Sequence, residues 1–164
     1  MLKPLSTANG LPVYGLYIDG GWVASSVGKT ALDYNPATGA PFASVHQASA
    51  LEIESALAAA QRASQEWGNT LVATKEALLL RLREVIMTRR EEIQQLLIRE
   101  SGSAFSKALW EIDYVIDLIQ TMMGEVRRIG GETMPMTIDG RVSMSIRHRW
   151  ALCWASALLT RRFY

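Results

Sequence analysis

The one thiol, Cys153, has the most chemistry to offer. A cysteine attacks as its thiolate, which needs a base or a helix N-terminus beside it and oxyanion donors within reach. Its neighbours Leu152 and Trp154 supply neither, so no catalytic role is assigned to it. His46 lies in an apolar-alternating stretch and His148 follows another; neither has a partner at metal-ligand spacing, and both read as structural. Asp113 and Asp117 stand one helical turn apart, where two carboxylates could share acid–base work. The opposite side of that helix is an apolar stripe, so the pair reads as a solvated face. Gly20-Gly21 and Gly130-Gly131 are too short to cradle a phosphate. No GxGxxG, GxxxxGKS/T or HExxH pattern occurs. Met122, Met123, Met134, Met136 and Met144 read as adaptable packing. Taken residue by residue, the chain shows no catalytic, cofactor-binding or metal site.

The totals bound what such residues could belong to. A chain of 164 residues can hold one domain with a real core. Hydrophobic types make up 49% and charged types 20%, an ordinary globular balance. A net charge of +1 leaves no footprint for nucleic acid or for an anionic membrane. The basic pairs Arg89-Arg90 and Arg127-Arg128 sit among acids and read as solvated helix faces. A single Cys builds neither a disulfide framework nor a zinc site, which fits a cytoplasmic location. No signal-peptide run follows Met1-Leu2-Lys3-Pro4. The apolar run 150–159 is about half the ~20 residues that span a bilayer.

The elements follow from turns, caps and periods. Residues 1–13 read as a loose arm. Tyr14–Val23 alternates around Asp19-Gly20, a pair suited to a type I′ hairpin. Asn35-Pro36-Ala37-Thr38-Gly39 is a turn between strands at 30–34 and 41–47. Ser49-x-x-Glu52 is a capping box opening a helix at about 50–67, with Ile53, Leu57, Ala60 and Trp67 as its stripe and Gly68-Asn69 as its stop. A second helix is expected over 74–101, with Leu78, Leu82, Val85, Ile86, Ile93, Leu96 and Leu97 facing inward. On its wetter side Arg81 with Glu84, and Arg89 with Glu92, are spaced to interact. The third, at 106–129, carries Leu109, Ile112, Ile116, Ile119, Met123 and Val126 and stops at Gly130-Gly131. Residues 142–147 alternate with period two and predict a strand.

Tyr17-Ile18-Asp19-Gly20-Gly21-Trp22 and then Asn35-Pro36-Ala37-Thr38-Gly39 resemble the opening of the aldehyde dehydrogenase superfamily. The resemblance continues in order: an Ala-rich helix ending in Trp67, a long helix closing on Arg99-Glu100-Ser101-Gly102, then Gly130-Gly131-Glu132-Thr133-Met134-Pro135, then Ser143-Met144-Ser145-Ile146-Arg147. It covers about residues 14–148. Its wording is most similar to the branch acting on aromatic aldehydes such as vanillin or benzaldehyde. The resemblance implies oxidation of aldehydes to acids with NAD or NADP, by a Cys nucleophile, an Asn-containing oxyanion hole and a Glu base. It implies an α+β fragment, mainly helical: the hairpins and outer helices of the α/β cofactor domain, without its central parallel sheet. It implies homo-oligomers as well. The family's Cys, Glu, Asn and cofactor-contacting Lys all fall downstream of the resembling segment. No catalytic, cofactor-binding or metal residue is therefore carried over, and Cys153 matches the family's Cys in neither context nor place. The division implied is an arm at 1–13, a partial cofactor domain at 14–136, the start of a bridging strand at 137–148, and a tail at 149–164.

That tail breaks the pattern. Residues 149–164 hold two of the five Trp, the only Cys and no acid. The family resemblance predicts Pro-Leu-Gly-Val-Val-x-Gly-Ile-x-Pro-Phe-Asn after His148. Reading the permitted codons one base early, from the last base of His148, forces Gly from Trp150-Ala151, Leu from Cys153-Trp154 and Gly from Trp154-Ala155. The degenerate remainder permits the expected sequence, so a frameshift in the gene or its sequencing is expected here.

Two functional classes follow. One is a truncated aldehyde dehydrogenase, inactive alone and binding no cofactor. The alternative is a non-catalytic module that self-associates or docks on intact subunits through the strand bearing Val142, Met144 and Ile146. A stand-alone helical binding protein fits the composition but not the resemblance. In either main class the helical stripes lack the sheet they were made for, and part of each stays wet. Removing residues 149–164 should leave the stability of the remainder unchanged or higher in urea unfolding. A large loss would make Trp150 and Trp154 core residues.

Overall fold

The computed structural model describes residues 3–147, and the anomalous tail, with Cys153 and His148, lies outside them. The chain runs through six strands, four helices, a short 3₁₀ turn and two final strands. The first surprise is at the start. Asn9 and Gly10 both take positive φ, 51° and 77°, and fold Ser6–Ala8 (β1) back on Leu11–Tyr14 (β2). Residues 1–13 are thus not a loose arm in the part that is described. The Asn-Gly pair is itself a hairpin signal, since both centres of a type I′ turn need positive φ.

β2 then runs parallel to Pro41–His46 (β6), with Val13 opposite Ser44, and β6 pairs antiparallel with Thr30–Tyr34 (β5). The sheet order is β1-β2-β6-β5. Asn35 turns β5 into β6 as its spacing predicts: its Oδ1 accepts from the Ala37 N–H at 2.9 Å and its carbonyl from the Gly39 N–H at 2.8 Å. Leu16–Ile18 (β3) and Gly21–Val23 (β4) form the expected hairpin, with Asp19 and Gly20 at φ 51° and 80°.

Ala50–Asn69 (α1) opens on the capping box. The Ser49 N–H donates to Glu52 Oε2 at 2.7 Å, and the Ser26 N–H donates to the other carboxylate oxygen at 2.8 Å. One side chain therefore caps the helix and ties the loop after β4 to it. The side chains of Ser26 and then Ser49, with these backbone bonds adding to them, hold the Glu52 carboxyl down from the usual 4.5 to about 2.

The expected helix over 74–101 is broken. Val72–Thr88 (α2) and Arg90–Ser101 (α3) meet at Arg89, whose φ of −101° and ψ of 16° leave the helical well. The Thr88 hydroxyl donates back to the Glu84 carbonyl at 2.8 Å, a bond that bends helices. Arg89 folds over the new first turn and grips Glu92 through two nitrogens, at 2.9 and 2.7 Å. Phe105–Glu125 (α4) receives both pieces. The predicted stripe faces inward: Ile112 and Ile119 are buried, and Leu109, Ile116, Met123 and, just past the helix, Val126 are half-buried; Ala108, outside the predicted set, is buried as well.

The other stripes are only partly covered: of the predicted inward residues, Ile86 on α2 and Ile93 and Leu97 on α3 are half-buried. Ile53, Leu57 and Trp67 on α1, Leu78, Leu82 and Val85 on α2, and Leu96 on α3 are exposed. α1 instead buries Glu52 and Ala59, and α2 half-buries Leu79, Arg83 and Ile86. A hydrophobic period tells which side of a helix favours an apolar neighbour, and among the described residues nothing covers those sides.

The last strand is shorter than the predicted 142–147. Ser143–Met144 (β8) pairs antiparallel with Thr133–Met134 (β7), so it has one neighbour rather than none. The Ser145 N–H donates to the Glu132 carbonyl at 2.8 Å. A Cβ on Gly131 would meet the Ser145 carbonyl oxygen at 1.6 Å, which explains a glycine there.

Two outcomes are expected. Gly131→Ala should push β8 off β7 at a cost of about 1–3 kcal/mol, read as faster hydrogen exchange at the Ser145 amide; unchanged protection would show that the strand yields freely. Glu52→Gln should lower stability at neutral pH. Because the folded carboxyl is depressed, its contribution is present above pH 4.5 and is lost as the pH falls toward about 2. The gap between the two proteins should therefore close over that window in urea melts, and a gap that persists at pH 2 would contradict the capping role.

Candidate functional site

The structure places the sequence candidates apart from one another. His46 ends β6 opposite Thr30, half-buried, with its Nδ1 buried and without a hydrogen-bond partner. Asp113 is not simply solvated. It pairs with Arg90 and pins the start of α3 to α4, while Asp117 remains exposed. Gly20-Gly21 and Gly130-Gly131 serve turns and close backbone approach. Arg127 is engaged with Glu76 on α2, and this contact raises its pKa further. Among the described residues no group of His, Cys, Asp and Glu is arranged to hold a metal, and no helix is long and apolar enough to cross a membrane.

An open depression lies at the α2–α3 break, lined by Arg81, Glu84, Val85, Thr88 and Arg89. Its one hydroxyl, on Thr88, is engaged with the Glu84 carbonyl, and Arg89 is committed to Glu92. Glu100 on α3 is a carboxyl that sequence reading missed. Burial first, and Asp33 on β5 second, push its pKa up. Its signal was unreadable in the chain, because Asp33 and Glu100 meet only once α3 lies near the sheet.

One strand-to-helix junction could draw an anion. β6 runs parallel to β2 and leads directly into the N-terminus of α1, where free N–H groups would draw a phosphate. The chemistry there is wrong for that ligand. The Glu52 carboxylate already accepts from Ser49 and Ser26 and stays ionised down to about pH 2, so it fills the anion position with its own charge. This junction does not fit the phosphates of NAD or NADP, and no step through a nicotinamide is derived from it.

Val142, Met144 and Ile146 are all strongly exposed, Val142 at 76%. A second exposed apolar row runs along α4, where Trp110 and Tyr114 stack with centroids 5.4 Å apart and rings 17° from parallel.

Comparison with known proteins gives these features a setting. Residues 22–155 match the aldehyde dehydrogenase family, a range that runs past residue 149. The D-glyceraldehyde dehydrogenase (NADP(+)) of Thermoplasma acidophilum is 33% identical over 126 residues, covering 77% of this chain and 26% of that protein. The vanillin dehydrogenase of Corynebacterium glutamicum is 32% identical over 124 residues, again covering 76% of this chain and 26% of the relative. The crystal structure of an NAD-dependent benzaldehyde dehydrogenase from Corynebacterium glutamicum superposes with a TM-score of 0.73 at 31% identity, over 83% of this chain and 30% of that one. The chain spans about a quarter of the length of these curated relatives. With the Asn35 turn, all four helices and the closing β7–β8 ribbon falling inside the matched range, the chain belongs to the aldehyde dehydrogenase family.

Proposed function

We propose that this chain forms the outer strands and helices of the cofactor domain of an NAD(P)-dependent aldehyde-oxidising enzyme, and that alone it turns over no aldehyde. The carrying observation is the exposure of the α1 and α2 stripes, Ile53, Leu57 and Trp67 with Leu78, Leu82 and Val85, in a chain spanning about a quarter of its relatives. Those stripes have the pattern of buried faces and await a further layer. In this reading residues 14–136 are the partial cofactor domain, 137–148 begin the bridging strand, and residues 149–164 are out of frame. The aldehyde is aromatic, in line with the vanillin and benzaldehyde dehydrogenases among the similar proteins.

The activity expected of the whole enzyme needs a thiolate aimed at a carbonyl, oxyanion donors and a held nicotinamide, each placed to about half an ångström. The described residues contain no cysteine. Purified chain with benzaldehyde or vanillin and NAD or NADP should give no reduced cofactor above background. Turnover abolished by Cys153→Ala would overturn the reading; turnover indifferent to it would point to a contaminating dehydrogenase. The reading frame has its own test. Sequencing the gene across codons 146–152 from independent material should reveal the single-base shift, and an intact frame would make the tail genuine.

The second reading, docking on intact subunits, has the exposure of Val142, Met144 and Ile146 in its favour. Co-expression with a full-length relative such as the benzaldehyde dehydrogenase, followed by affinity purification, separates the two. Stoichiometric recovery that is lost on Val142→Lys would favour docking.

A further inference from the structure

We draw no further inference here: the strongest candidate, the exposed apolar ridge of Trp110, Tyr114, Leu118 and Met122 along the outer side of α4, carries nothing because the structure does not show what covers it.

Discussion

The buried side of α4 joins the helical block together. Ala108 has no exposed surface, and Ile112 and Ile119 are nearly as enclosed. A side chain as small as alanine lets neighbouring elements come close, and the two isoleucines supply the apolar contact. α2 and α3 both rest on this helix, so the bend at Arg89 has a clear consequence: it lets two successive segments lie on one support. Ion pairs fasten the arrangement, Arg90 to Asp113 at the start of α3 and Arg127 to Glu76 beyond the end of α4. These pairs are partly solvent-exposed, so they set register more than they add stability.

Glu52 does for the β-rich half what α4 does for the helices. It is the N3 residue of α1, and it also accepts from Ser26 in the loop after β4. An ionised carboxylate at a helix N-terminus is favoured by the helix dipole as well as by its hydrogen bonds. The same charge makes this strand-to-helix junction unsuitable for a phosphate, although a strand leads straight into a helix N-terminus there. Topology permits a ligand; side-chain charge decides whether one is accepted.

The apolar surface is equally informative. Among the described residues no large side chain is fully buried, while α1 and α2 turn well-formed stripes outward. Burying a large apolar side chain contributes roughly 1.5–3 kcal/mol, so two uncovered stripes represent stabilisation that this part of the fold leaves unused. On the proposed reading such faces await a further layer, and the family match covers most of this chain and a small share of each relative.

What the sequence determined by itself was local. Asp19-Gly20, the Asn35 turn and the Ser49–Glu52 box are short-range chemistry, since each needs only neighbouring backbone, and each formed where read. The ordered words also sufficed to identify the family. Asn9-Gly10 was equally local but was passed over, so β1 and β2 went unread. Other features needed the tertiary structure. The break at Arg89 is one, because a helical period continues through a bend that only packing on α4 rewards. The direction of each stripe is another: periodicity finds a helix's apolar side, but burial depends on the neighbour that is present. The Arg90–Asp113 and Glu52–Ser26 contacts join residues 23 and 26 positions apart, and only the folded chain brings them within hydrogen-bonding distance.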